Sequence, residues 1–484
     1  MVASATIKNL AKELAQVVGR QHVLLSDVDL SVYESDGETL DSARPDLVVL
    51  PASTEQVQSV VRLANKYGVP FAPRGAGTGL SGGATTIFGG ISLVLTRMSR
   101  ILKIDEANLS ALVEVGATNM SVTHAAAKFN LYFAPDPSSQ YASTIGGNLA
   151  ENAGGAHTLK YGMTTDHVLS VKAVLPNGDI VTLGGDGGHG LGLDLLSVFV
   201  GSEGTLGVAC EALLKLTPLP SIIETVLAYF PSLEAGGQAV SDIVADGVIP
   251  AAMEMIDKLS LNAVEDAFHL GLNRQAGAAL IVELDGDKAG IAYDKDVVVQ
   301  CLQANGVIDL KWAADAKQRQ AIWKARKSAF GALGRIAPHG YVLDGVIPRS
   351  KLKQAISRID EITQRHKLQV SNIYHAGDGN LHPCMLFHRD NEEEVKHVML
   401  AANEILELCL ELGGTLSGEH GIGIEKLSEM NKAFSEFDLK AMADLHDVFN
   451  PDGICNPGKV IPNLKTCGES GIRPLLRHQI SALC

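Results

Sequence analysis

The stretch Pro73-Arg74-Gly75-Ala76-Gly77-Thr78-Gly79-Leu80-Ser81-Gly82-Gly83-Ala84 carries five glycines in twelve residues and follows a short apolar run ending at Phe71 and Ala72. Glycine loses more backbone entropy on folding than any other residue, so a cluster this dense serves a sharp turn or a close approach to a ligand. Bare N–H groups at such a turn form a concave anion site suited to a pyrophosphate. A dinucleotide-binding turn needs Gly-x-Gly-x-x-Gly opening a helix. Gly77, Gly79 and Gly82 have that spacing, but Ala84 to Gly90 does not read as a helix. A nicotinamide-type turn is therefore disfavoured.

Two further glycine clusters lie downstream. Pro135-Asp136-Pro137-Ser138-Ser139 leads to Thr144-Ile145-Gly146-Gly147-Asn148, followed by Ala153-Gly154-Gly155. Gly201-Ser202-Glu203-Gly204-Thr205-Leu206-Gly207 is the third. Three such clusters in one region point to a large, phosphate-bearing cofactor. Between them the pattern alternates strands and helices. Leu47 to Leu50 and Val69 to Ala72 read as strands around a helix that Ser53 and Thr54 open and Gly68 ends. Pro176-Asn177-Gly178 joins Val171–Leu175 to Asp179–Leu183 as a hairpin. Ile7 to Val18 reads as an amphipathic helix, and Asp27 to Ala43 as irregular.

From Ile222 the texture changes. Strand-like runs at Thr225–Phe230, Ala252–Ile256, Ala279–Leu284 and Tyr341–Ile347 alternate with helical runs such as Ala314–Leu333 and Glu392–Leu412. This predicts an antiparallel sheet covered by helices on one side, an α+β domain. The final turn-rich stretch is Asn450 to Lys459, and the tail from Leu464 to Cys484 lacks clear periodicity.

With 484 residues the chain supports two or three domains, and 46% hydrophobic against 20% charged residues is globular. A formal net charge of -15 argues against nucleic acid. The cysteines Cys210, Cys301, Cys384, Cys409, Cys455, Cys467 and Cys484 include no Cys-x-x-Cys pair, so no iron–sulfur cluster or structural zinc is indicated. Their odd, dispersed set fits reduced thiols in a cytoplasmic protein. No signal peptide or membrane-spanning run is read, and peripheral association with a membrane is allowed.

Pro73–Ala84, Pro135–Asn148, Gly201–Gly207, His375–His382, Gly418–His420 and Asn456–Lys459 together resemble the FAD-linked oxidoreductases of the vanillyl-alcohol-oxidase type. Within that family the chain is similar to the branch of the bacterial glycolate oxidase flavin subunit, FAD-dependent D-lactate dehydrogenase and D-2-hydroxyglutarate dehydrogenase. The resemblance runs from about Arg44 to Pro462. It implies an α+β fold with an N-terminal helical segment over 1–43 and a two-subdomain FAD-binding domain over 44–220. A substrate, or cap, domain of antiparallel sheet plus helices with a metal site follows over 221–449, and 450–484 returns to the flavin.

The resemblance assigns the pyrophosphate to Pro73, Arg74, Gly75, Ala76, Gly77, Thr78 and Gly79. It assigns the isoalloxazine and ribityl portions to Pro137, Ser138, Ser139, Thr144, Gly146, Gly147, Asn148 and Gly154. Glu203, Gly204 and Gly207 would sit by the adenine, and Asn456 and Lys459 would return to the flavin. Relatives with covalent flavin often carry a histidine where this chain has Thr78, which implies noncovalent FAD.

The segment His375-Ala376-Gly377-Asp378-Gly379-Asn380-Leu381-His382 precedes Gly418-Glu419-His420-Gly421. His375 and His382 converge if Gly-Asp-Gly forms a turn, and Glu419 adds an oxygen. Two imidazoles, one carboxylate and an open position are the ligand set of a catalytic divalent metal, zinc or manganese. Other histidines, such as His22, His124, His269 and His446, read as ordinary. The resemblance makes His420 the base that takes a hydroxyl proton, in keeping with histidine chemistry. It also picks Arg326 for a substrate carboxylate, a task suited to a planar guanidinium, with Arg349 a second candidate.

Relatives acting on 2-hydroxyglutarate add a threonine and a lysine where this chain has Phe330 and Val342. The expected activity is therefore oxidation of D-lactate or glycolate to the 2-oxo acid, by metal-assisted proton abstraction and hydride transfer to flavin N5. The acceptor class would be a quinone, a carrier protein or a partner subunit, and a homodimer is allowed. The alternatives are a D-2-hydroxyglutarate dehydrogenase, an oxygen-using flavin alcohol oxidase, or an FAD-carrying assembly subunit without turnover.

Overall fold

The computed structural model describes residues 4–38, 40–185 and 192–462. Cys467, Cys484 and the tail from Leu464 lie outside the described residues. The chain divides into two compact units. One comprises residues 1–154, 163–219 and 419–484; the other comprises residues 155–162 and 220–418. The stretch 419–449, read from the sequence as part of the substrate domain, thus belongs to the first unit, which also holds the glycine clusters.

In the first unit, a four-stranded sheet runs in the order Val23–Leu24, Leu47–Val49, Ile91–Val94, Phe71–Arg74. The last three strands are parallel, with Leu47 and Phe71 both in register with Ile91. The helix Thr54–Tyr67 connects Leu47–Val49 to Phe71–Arg74, the two strands that flank Ile91–Val94. Ser53 caps that helix by accepting from the Gln56 N–H at 3.3 Å, and Gly68 ends it in the left-handed region at φ 60°. Its face of Val57, Val60, Val61 and Ala64 is fully buried, worth roughly 1.5–3 kcal/mol per valine.

A five-stranded antiparallel sheet in the same unit has the order Ile101–Asp105, Ser110–Glu114, Val208–Lys215, Val168–Val174, Ile180–Gly184. Its last two strands form the hairpin expected at Asn177-Gly178, with the Gly178 N–H on the Leu175 carbonyl at 2.8 Å and φ 87° at the glycine. The stretch read as irregular contains a short helix, Asp27–Ser31, which Ser26 caps by accepting from the Asp29 N–H.

The second unit is built on an antiparallel sheet ordered Asp309–Trp312, Ile222–Phe230, Ala278–Gly286, Ala252–Asp257, Gln369–His375, Asn380–Phe387, His339–Val342. The short strand Gly345–Val346 also pairs with Asn380–Phe387. Helices cover both faces of this sheet, which corrects the one-sided expectation. Adjacent strand residues point to opposite faces. Ile256 packs in a core with Leu261, Val264, Ile322 and Ala325, whereas Gly236 of the helix Leu233–Ala245 lies against Met255. Every residue of Ala252–Asp257 and Asn380–Phe387 is accordingly buried.

Two predicted elements are interrupted. The helical run breaks into Ala316–Lys327 and Ala329–Leu333 at Ser328. The strand run breaks at Leu343-Asp344, whose polar groups are used elsewhere. No helix among the described residues is long and apolar enough to cross a membrane.

Candidate active site

The three glycine clusters meet within the first unit. A β-carbon on Gly75 would overlap Thr144 Oγ1, so the first loop lies directly against the start of the helix Ile145–Glu151. Thr144 Oγ1 caps that helix by accepting from the Gly147 N–H at 3.2 Å. Gly204 of the third cluster abuts the Pro73 ring, where a β-carbon would stand at 3.2 Å. Gly77 has φ 74° and packs on the Arg74 guanidinium. No helix follows the first loop; the next element is the strand Ile91–Val94, which bears out the argument against a nicotinamide-type turn.

The lining asks for a ligand. The N–H groups of Ala76 to Leu80 meet no protein acceptor among the described residues. Arg74 Nη1, Thr85 Oγ1, Ser143 Oγ and Asn148 Nδ2 are buried without a protein partner among the described residues. Each such group costs about 1–3 kcal/mol, so several in one region fit a polar, phosphate-bearing cofactor. Pro137, Ser138 and Ser139 form a turn nearby in the chain. There the Gln140 N–H bonds the Pro137 carbonyl, and the Ser143 N–H bonds the Ser139 carbonyl. Gly75→Ala tests the packing, since overpacking costs about 1–3 kcal/mol. The variant should hold FAD about tenfold or more weakly, read as flavin fluorescence released on dilution. Wild-type retention would contradict this.

Glu203, Asn456 and Lys459 are turned toward the loops. The Glu203 carboxylate accepts from the Ile422 and Gly423 N–H groups at 2.6 and 2.7 Å. Asn456 Nδ2 donates to the Gly83 and Glu203 carbonyls at 2.9 and 2.7 Å. Lys459 Nζ donates to the Thr85 carbonyl at 2.6 Å, Asn456 Oδ1 at 3.1 Å and the Gly83 carbonyl at 3.3 Å. An ammonium has three protons, and these three bonds use them. Burial pulls Lys459 down to about 8 and pushes Glu203 up to about 6. Beside them, burial followed by the charge of Glu203 raises Glu151 well above the usual carboxylate range.

In the second unit, the predicted turn exists and joins Gln369–His375 to Asn380–Phe387. Gly379 has φ 84°, and the Asn380 N–H bonds Asp378 Oδ1 at 3.0 Å. His375 pairs with Asn380 and His382 with Ile373, so both histidines project from one sheet face. Their ring centroids are 5.1 Å apart with planes at 88°. His375 Nδ1 lies 2.7 Å from Glu254 Oε1, and His382 Nδ1 lies 2.8 Å from the Leu343 carbonyl. Each contact fixes the proton on Nδ1 and the lone pair on Nε2, the arrangement a metal-ligating histidine needs.

Arg326 stands beside this pair, its Nη2 2.6 Å from Glu254 Oε2 and 3.5 Å from His375 Nδ1. Its Nε is buried without a hydrogen-bond partner among the described residues. Arg349 instead grips the turn, donating from Nη1 to the Gly377 carbonyl at 3.3 Å. Asp344 accepts from Asn380 Nδ2 at 3.1 Å, Ser417 Oγ at 2.6 Å and the Gly418 N–H. It thereby holds both the hairpin and the residue before Glu419. Phe330 is about half exposed, and Val342 packs at the edge of the apolar core.

Glu419 and His420 open the last segment of the first unit. There His420 Nε2 is 3.8 Å from Glu419 Oε1, and the His420 carbonyl accepts from Ser81 Oγ at 2.9 Å. Sequence reasoning missed Glu254, Asp344 and Glu151. For Glu254 a signal existed: a lone acid inside the apolar strand Ala252-Met253-Glu254-Met255-Ile256.

Residues 45–184 match the family described as FAD binding domain, and residues 219–460 match FAD linked oxidases, C-terminal domain. The chain belongs to the FAD-linked oxidases. Among curated relatives, the glycolate oxidase subunit GlcD of Escherichia coli (strain K12) is 44% identical, with 93% of this chain and 92% of the relative covered. A D-lactate dehydrogenase of Archaeoglobus fulgidus is 34% identical over 86% of this chain and 92% of its own. Among solved structures, p-cresol methylhydroxylase matches with TM-score 0.80 at 17% identity, covering 96% of this chain and 98% of that one. That likeness concerns the fold, the vanillyl-alcohol-oxidase type expected from the sequence. As a member of the FAD-linked oxidases the protein is a flavin-dependent oxidoreductase, and Arg74 Nη1, Thr85 Oγ1, Ser143 Oγ and Asn148 Nδ2 lie in the unit that carries the FAD-binding match.

Proposed function

We propose that the protein oxidises a short 2-hydroxy acid, glycolate or D-lactate, to the 2-oxo acid. The observation that carries this reading is the second unit's prepared trio. His375 and His382 present Nε2 with Nδ1 already held, beside an arginine whose buried Nε has no protein partner among the described residues. Such a set suits a divalent metal and a carboxylate side by side. The names of the relatives, a glycolate oxidase subunit and a D-lactate dehydrogenase, support the substrate class.

In this reading FAD, when bound, supplies a two-electron acceptor, and zinc or manganese, when bound, supplies a Lewis acid for the substrate hydroxyl. His375, His382 and Glu419 hold the metal. Arg326 donates from Nε to the substrate carboxylate and so fixes its orientation. His420 removes the hydroxyl proton and retains it on its ring. Asp344 braces the hairpin that carries His375 and His382, and Gly418. Electrons then leave to a quinone, a carrier protein or a partner subunit. Cys210, Cys301, Cys384, Cys409 and Cys455 are buried free thiols, in keeping with a cytoplasmic protein.

Phe330 and Val342 offer no partner to a second carboxylate. A missing charged hydrogen bond is worth about 1.5–3 kcal/mol, so D-lactate or glycolate should exceed D-2-hydroxyglutarate in kcat/KM by about tenfold or more. Steady-state assays with a dye acceptor measure this; a preference for D-2-hydroxyglutarate would overturn the substrate assignment.

A further inference from the structure

One carboxylate touches both halves of the prepared trio. The register of the second unit's sheet sets Glu254 directly opposite His375 on one side and Ile281 on the other. Glu254 is buried, with one oxygen on His375 Nδ1 at 2.7 Å and the other on Arg326 Nη2 at 2.6 Å. Arg326 reaches it from the helix Ala316–Lys327, which crosses the same sheet face. One turn earlier on that helix, Trp323 Nε1 donates to Glu283 Oε2 at 2.6 Å. Glu283 lies two residues along the neighbouring strand from Ile281, on the same face. The helix is thus docked by two acids in a row, and its last turn is where Arg326 meets Glu254.

We propose that Glu254 is a positioning residue that orients His375 for a metal and Arg326 for the substrate carboxylate through a single carboxylate. A carboxylate has two acceptor oxygens and no proton to give, so one oxygen takes the imidazole N–H while the other faces the guanidinium as an ion pair. With both neighbours fixed, His375 Nε2 and Arg326 Nε are held in one relative geometry. Glutamine has one acceptor and one donor group, so Glu254→Gln leaves one of the two N–H groups facing another donor. The inference rests on the reading under Proposed function that His375 is a metal ligand and Arg326 a carboxylate receptor.

The test uses the FAD-loaded protein, stripped of metal and titrated with Mn²⁺ against a competing chelator, together with the KM for D-lactate at saturating metal. Glu254→Gln should keep FAD, weaken Mn²⁺ by about 10–100-fold, and raise the KM by about tenfold. Glu254→Asp keeps the charge on a shorter arm and so weakens both contacts. It should show the same two changes in smaller measure, and it carries the test if the glutamine variant fails to hold FAD. Unchanged metal affinity and unchanged KM would overturn the inference, even if the melting temperature fell, because that pattern marks a merely structural residue. A wild-type protein with no affinity for Mn²⁺ or Zn²⁺ would instead overturn the metal reading; the KM comparison would then decide the Arg326 half alone.

Discussion

His420→Ala should fold, keep its FAD and lose about 10²–10⁴ in turnover, the usual worth of a general base. The expectation that flavin survives comes from how the segment is anchored. The His420 carbonyl is held by Ser81 Oγ, and the next residues are held by Glu203 through the Ile422 and Gly423 N–H groups. None of these contacts uses the imidazole. Lys426 Nζ adds a further tie to the Gly421 carbonyl at 2.9 Å. Removing the ring therefore removes a proton acceptor while the backbone path stays. The check is kcat with a dye acceptor beside the flavin-to-protein ratio. Wild-type turnover in an FAD-loaded variant would refute the assignment of the base.

His375→Ala should have the larger effect, because metal and activity go together. Removing one of three protein ligands leaves a site too poor to hold a divalent ion at ordinary concentrations. It also leaves Glu254 with only Arg326, drawing the arginine's charge toward the sheet. Metal content measured by elemental analysis should fall from about one per chain to near zero, with turnover at background and FAD retained. Chelation of the wild type should reproduce the loss, and added Mn²⁺ or Zn²⁺ should reverse it. A fully active, metal-free His375→Ala protein would sink the metal site.

What could be read from the chain was whatever depends on local backbone chemistry. Gly75, Gly77 and Gly79 marked a close approach, and Gly75 indeed has no room for a β-carbon beside Thr144. Ser53 and Gly68 bracketed a helix, Asn177-Gly178 a hairpin, and Gly377-Asp378-Gly379 the turn that lets His375 and His382 share a face. What escaped depends on register between distant strands. Glu254 and His375 are 121 residues apart and meet only because their strands pair with one specific offset.

The second helical layer escaped for a related reason. Ala252–Asp257 and Ala278–Gly286 carry buried apolar residues on both faces, a pattern that local reading cannot divide between two layers. The bonds of Lys459 to Thr85, Asn456 and Gly83 likewise join residues far apart in the chain, which local reading does not reach.

The most direct test of the central claim is anaerobic mixing of the purified, FAD-loaded protein with glycolate, D-lactate, L-lactate and D-2-hydroxyglutarate in turn, following the yellow absorbance of the oxidised flavin. D-lactate or glycolate should bleach the flavin rapidly, and the colour should persist with L-lactate. Colour that persists with every 2-hydroxy acid, or bleaches only with L-lactate, would contradict the claim.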